Sequence, residues 1–133
     1  MRSPATLYSL LTGCLLVSLT GSLHAQGNTV RISEFMAKNS LTLQDQEGDS
    51  SDWVELENTG SSSVDLGGWF LTDKQTKPTK WQFPSPTVLA AGQRILVFAS
   101  SKDDKVRPGA LHCNFQLSAS GEYLGLLNPS QVA

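Results

Sequence analysis

The sequence predicts an all-β sandwich or barrel preceded by a helical export signal. After the first 25 residues, no window keeps the 3.6-residue period of an amphipathic helix. Short apolar or alternating segments instead recur about every 8–12 residues, with Gly, Ser, Asn, Asp and Pro between them. The composition is 39% hydrophobic and 17% charged, which is typical of a globular protein, and 133 residues allow one domain.

The N-terminus has the three parts of a secretory signal peptide. Arg2 gives a positive start, residues 7–19 are the most apolar part, and the segment closes on the small residue Ala25. No charged residue lies between Arg2 and Arg31. We therefore predict a signal peptide over residues 1–25, a linker over 26–29, and a protein that is secreted or held in the cell envelope.

Two alternatives for this segment would bring the protein to a membrane. About 20 apolar residues can span a bilayer as a retained anchor, but Ser, Thr and Gly interrupt this segment. The residues before Cys14 also resemble a lipoprotein box, in which Cys14 would carry the lipid. The apolar run continues past Cys14 to Leu19, so cleavage after Ala25 is the favoured interpretation.

The first strands follow from alternation. Residues 30–37 place Val30 and Ile32 on alternate positions, and an Asp-, Gly- and Ser-rich loop follows. Residues 52–58 form the clearest strand, with Val54 and Leu56 on one face and Trp53, Glu55 and Glu57 on the other.

The later strands are shorter. Two glycines are expected to bend residues 64–73 into two strand pieces. Residues 81–83 form a short extended piece that ends at prolines. Residues 94–99 are a near-continuous apolar run typical of a core strand, and residues 113–117 and 122–127 are the last two expected strands.

These motifs, in this order, resemble those of the lamin tail domain family. The resemblance covers about residues 30–127, and its most specific parts are the Asp-Trp-Val-Glu-Leu-Glu-Asn strand at 52–58 and Leu-Gly-Gly-Trp-Phe-Leu-Thr-Asp at 66–73. It implies an immunoglobulin-like β-sandwich that serves as an interaction surface in nuclear lamins. Similar bacterial domains occur in exported or surface proteins, often beside nuclease, phosphoesterase or coat-kinase-like domains.

One departure from the family pattern concerns the C-terminus. The family continues beyond the Gly121-Glu122 strand with a final strand, whereas this chain stops at Ala133. The domain at 30–133 is therefore expected to be C-terminally truncated, with an edge that exposes unpaired backbone groups. A fragment of a longer protein is favoured over a domain that a partner strand completes.

No catalytic residue or cofactor is expected. The sequence has no nucleophile elbow, phosphate-binding glycine loop or His/Cys metal cluster. His112 and Cys113 would point to opposite faces of one strand, and Cys113 is expected to be a buried apolar residue. Glu55 and Glu57 would lie about 7 Å apart on one face. Carboxylates at such distances serve glycoside hydrolysis, but a solvated pair is favoured.

An acidic loop supplies the only candidates for metal ligands. Calcium favours oxygen-rich loops of this kind, but this one lacks the expected glycine and the closing glutamate. A solvated loop is favoured and no metal site is predicted. The resemblance to the family also implies a structural role for the carboxylate of Asp52, which would accept backbone hydrogen bonds. The four residues are Asp45, Glu47, Asp49 and Asp52.

The candidates for ligand binding are Lys74, Lys77, Lys80 and Trp81. Basic side chains next to an aromatic ring suit the binding of a single-stranded nucleic acid or another anionic polymer. The net charge of the protein is −2, so nucleic acid is not favoured as a ligand, and a solvated loop is the favoured interpretation. Residues 31–73 carry nine acids and two bases, while residues 74–107 carry seven bases and two acids. We expect these two halves to attract each other across the fold. The three tryptophans are expected to fill or seal the core rather than line a groove.

Two hypotheses for function remain. The first is a non-catalytic interaction or adhesion module that binds a protein or an extracellular matrix partner. The alternative is the accessory front end of a longer exported enzyme whose catalytic part lies beyond residue 133.

Overall fold

The computed structural model describes residues 28–106 and 108–132. The predicted signal peptide, its cleavage position and Cys14 lie outside this part. No helix in the described ranges is long and apolar enough to cross a membrane. The described residues form nine strands and one 3-10 turn: β1 Val30–Met36, β2 Asp52–Asn58, β3 Val64–Asp65, β4 Phe70–Thr72, β5 Trp81–Gln82, β6 Val88–Leu89, β7 Arg94–Ala99, β8 Leu111–His112, β9 Gly125–Leu127 and the turn Pro129–Gln131.

The main sheet has the strand order β1-β2-β7-β8. Its pairs are antiparallel except β7 with β8, which run parallel. The alternation in β2 explains its central place: Val54 and Leu56 are fully buried and lie opposite Val97 and Ile95 of β7. A bulge at Ser33 interrupts the pairing of β1 with β2.

The second layer consists of a three-stranded sheet, β5-β4-β9, and a two-stranded ribbon, β3-β6. Leu66, Leu71, Trp81 and Leu89 from this layer join the core that the inner face of the main sheet closes. Gly68 has a φ of 84° at the bend between β3 and β4, a conformation that favours glycine. The prediction of an all-β fold of the immunoglobulin-like sandwich class is confirmed.

A second apolar row lies on the outer face of the main sheet. Trp53, Phe98 and His112 are neighbours in register across β2, β7 and β8, and all three are buried. The loop 37–51 and the loop 100–110 adjoin this end of the sheet and are joined by a hydrogen bond from Ala110 N–H to Gln46 Oε1 of 2.9 Å. The outer face is therefore closed at this end of the sheet, where Trp53 is buried as expected.

The predicted strands at 113–117 and 122–127 need correction. The strand near the first is Leu111–His112, and Cys113–Leu117 does not belong to a sheet. After His112 the backbone bonds the loop that follows β7, with Asp103 N–H donating to Cys113 C=O and Ser101 N–H to Phe115 C=O. The last strand is limited to Gly125–Leu127.

The ribbon strand β6, Val88–Leu89, was not expected at all. It pairs with Val64–Asp65 over two residues only, which is too short to show a period in the sequence. The other predicted strands are present, and residues 64–73 divide into β3 and β4 around the two glycines as expected. The domain boundaries and the expected missing final strand stay predictions.

Candidate functional site

The acidic loop surrounds a lysine from the other half of the chain. Lys102 Nζ lies 2.7 Å from Asp45 Oδ2, 2.5 Å from Glu47 Oε2 and 2.9 Å from Asp49 Oδ2. Three of the four carboxylates considered as metal ligands thus hold an ammonium group. The sequence offers no local signal for this contact, because the partners are 53 to 57 residues apart.

The electrostatics of this cluster follow from its hydrogen bonds. Burial alone would raise the pKa of Asp45, but bonds from Lys102 Nζ and from the Asp49 and Glu47 backbone N–H groups outweigh burial and lower it. The same three carboxylates raise the pKa of Lys102. The cluster therefore joins the loop 37–51 to the loop after β7. Its acids come from the acidic half of the chain and its lysine from the basic half, the two halves expected to attract each other.

Asp52 is separate from this cluster. Its Oδ1 accepts hydrogen bonds from Lys38 N–H at 2.7 Å and Asn39 N–H at 3.1 Å, and its Oδ2 accepts one from Leu117 N–H at 3.3 Å. These bonds hold the start of the long loop and the segment before β9 against β2. Asp52 accepts backbone hydrogen bonds, as its resemblance to the family implies.

The four candidates for ligand binding do not form a basic surface with a stacking ring. Lys74 and Lys77 are exposed, whereas Lys80 Nζ pairs with Asp73 Oδ1 at 2.5 Å. Trp81 is buried, and its Nε1–H donates to Asp103 Oδ1 at 2.9 Å. The indole of Trp81 is buried in the core and Lys105 Nζ lies 5.3 Å from its ring centroid, so the ring is not open to a nucleobase.

The residues considered for catalysis are held in structural contacts. His112 is buried, stacks on Phe98 at 5.2 Å between ring centroids, and has its Nδ1 2.8 Å from Ser100 Oγ. Cys113 is also buried, and burial raises the pKa of its thiol to about 12. This thiol therefore stays protonated at neutral pH and is a poor nucleophile.

The two strand carboxylates pair with arginines. Glu57 accepts from Arg31 and Arg94 at 3.0 and 3.1 Å, and these bonds lower its pKa. Glu55 lies 3.5 Å from Arg94. The lowered pKa of Glu57 is the opposite of the raised pKa that a general acid needs at neutral pH.

Two open surfaces were not predicted. Trp69 is only half-buried and lines an open cavity of about 400 Å³. Phe35 is 59% exposed at a small cavity of about 80 Å³, beside Leu117 and Leu124. The sequence groups Trp69 with the core tryptophans, and only Trp53 and Trp81 are buried. Nothing in the local pattern around Trp69 distinguishes it from them.

The fold defines an immunoglobulin-like β-sandwich module. The family model described as Lamin Tail Domain matches residues 24–132, which is most of the chain. The chain therefore belongs to the lamin tail domain family, and the resemblance seen in its strand motifs is confirmed. No curated protein gives a significant match to the sequence.

Proposed function

We propose that this chain is a non-catalytic interaction module of an exported protein. Its membership of the lamin tail domain family supports this proposal. So do the contacts of the catalytic candidates, since His112, Cys113 and the strand glutamates are all engaged within the fold. The signal-peptide features of residues 1–25 support its action outside the cell or in the cell envelope.

The observation that carries the proposal is an exposed aromatic ring on an edge strand of the main sheet. Phe35 lies on β1, which is an outer strand of the main sheet, and its ring borders a cavity with Leu117 and Leu124. An exposed strand edge next to an apolar pocket suits an extended segment of a partner protein, because backbone bonds give affinity and the pocket gives specificity.

The surroundings of Phe35 also indicate the charge of the partner. Glu122 lines this cavity, is exposed, and forms no ion pair within the ranges 28–106 and 108–132. An extended protein segment with an apolar residue for the pocket and a Lys or Arg beside it would complement this surface.

A matched pair of variants tests the surface. Phe35→Ser removes the exposed ring, and Val88→Ser is the control because Val88 is equally exposed, at 60%, on the distant strand β6. We expect the purified, labelled protein to bind envelope preparations of its source cells. Phe35→Ser should weaken that binding roughly tenfold or more, as loss of a buried aromatic anchor does, and Val88→Ser should not.

Two results would contradict the proposal. One is equal binding by both variants and the unmodified protein. The other is turnover of nucleic acid, phosphoester or peptide substrates that a point change in this chain abolishes.

A further inference from the structure

The cavity beside Trp69 combines an aromatic wall with convergent polar groups. Its volume of about 400 Å³ lies within the range of small-ligand sites. The indole of Trp69 forms one wall, and the remaining lining comes from the two residues before β1, from β3 and from the turn after β9: Asn28, Thr29, Val64, Asn128, Pro129 and Ser130.

The walls of this cavity are fixed by backbone hydrogen bonds. Trp69 N–H donates to Leu66 C=O, and Trp69 C=O accepts from Phe83 N–H, each at 2.9 Å. Asn128 caps the turn Pro129–Gln131 through its Oδ1, which accepts from Ser130 N–H and Gln131 N–H. A ligand would therefore meet a preformed site, which lowers the entropy cost of binding.

The lining contains no charged side chain. Its polar groups are amides and hydroxyls, which both donate and accept hydrogen bonds. Within the described residues, the Trp69 Nε1–H and the Asn128 Nδ2 amide take no part in hydrogen bonds, although Asn128 Oδ1 is fully used. The site therefore suits an uncharged ligand with many hydroxyls and an apolar face.

We propose that the Trp69 cavity binds a neutral polysaccharide, with one sugar ring lying on the indole. A pyranose has a C–H face for the aromatic ring and hydroxyls around its rim for the amides of Asn28 and Asn128. This site is separate from the surface at Phe35 and does not depend on a protein partner there.

A proline-rich peptide is the other ligand that aromatic surfaces bind. Such peptides dock in grooves lined by several aromatic rings, whereas the lining of this cavity has one indole and five residues with side chains of amide, hydroxyl or proline type. The observations therefore favour the sugar.

The three tryptophans provide an internal control for the test. Trp53 and Trp81 are buried and Trp69 is not, so the indole N–H resonance of Trp69 alone should respond to a ligand in this cavity. The probes are hexamers of β-linked glucose, N-acetylglucosamine and mannose, with a proline-rich peptide and an acidic oligosaccharide as comparisons. We expect at least one neutral hexamer to shift the Trp69 resonance saturably, with a dissociation constant of about 1 mM or tighter.

Two variants sharpen the result. Trp69→Phe keeps an aromatic ring in the wall but removes the indole N–H, and should weaken sugar binding roughly fivefold, the effect of losing one hydrogen bond. Phe35→Ser should leave sugar binding unchanged, whatever its effect on a protein partner. Failure of every neutral hexamer to shift the Trp69 resonance of the unmodified protein would overturn the proposal, and so would a response to the peptide or the acidic sugar alone.

Discussion

At the scale of single residues, Asn58 stabilises the fold more than its polarity suggests. It ends β2, is fully buried, and donates from Nδ2 to Ser62 C=O at 2.8 Å and to Leu89 C=O at 3.0 Å. Its Oδ1 accepts from Gly60 N–H at 3.0 Å. One side chain thus satisfies backbone groups from the turn after β2 and from β6.

Replacing this side chain should cost considerable stability. Asn58→Ala removes the side-chain partner of two carbonyls and one N–H, and the bond to the Leu89 carbonyl is fully buried, so we expect the free energy of unfolding to fall by about 3 kcal/mol. Urea denaturation followed by tryptophan fluorescence would measure the change. Asn114→Ala is the control, because Asn114 makes one exposed bond to Lys80 C=O. A similar small loss in both variants would show that Asn58 has no special role.

At the scale of elements, Lys102 is the main described link between the loop 37–51 and the loop after β7. Its Nζ contacts all three carboxylates of the acidic cluster. Lys102→Met removes that charge and leaves Asp45 buried without its cation. We expect faster hydrogen exchange at the Asp45 and Asp49 amides, which bond within this loop, while amides of β2 and β7 keep their protection. Unchanged exchange in the loop would contradict this role.

The same cluster should make stability depend on pH in a defined direction. The pKa of Asp45 is lower in the folded protein than its ordinary value of 3.8, so the unfolded chain binds the proton more readily. The stabilisation from Asp45 is therefore complete above pH 3.8 and is lost as the pH falls through the folded pKa. Melting temperatures measured between pH 6 and pH 2 (roughly the range in which carboxylates titrate) should fall less steeply in Lys102→Met than in the unmodified protein.

If the melting temperature falls equally steeply with pH in both proteins, groups other than Asp45 cause the pH dependence.

Calcium gives a second check on the acidic cluster. Because an ammonium group occupies the cluster, calcium should leave the melting temperature of the unmodified protein unchanged.

At the scale of the whole molecule, the sequence predicts what repeats locally. β2 and β7 are found at their predicted bounds because alternation and an apolar run are visible within six or seven residues. The two-residue strands β6 and β8 show no period and depend on distant partners. The same reason hides the Lys102 cluster and the hydrogen bond that the Trp81 indole donates to Asp103, 22 residues away.

The candidate sites could be predicted even less well. Charge distribution indicated that the two halves attract, but not which side chains meet. The half-exposed Trp69 and the exposed Phe35 are distinguished from core aromatics only by the ends of other strands around them. The sequence thus predicts the family and the β-sandwich fold. The open surfaces at Trp69 and Phe35 depend instead on which residues from other parts of the chain lie next to them.

The intact mass of the native protein recovered from outside the cytoplasm tests the central claim most directly. An exported module predicts a product that begins at Gln26, so residues 1–25 do not contribute to its mass. A product retained in the cytoplasm with residues 1–25 attached would contradict export. A far larger product with hydrolase activity would contradict the non-catalytic module and support the accessory domain of a longer enzyme.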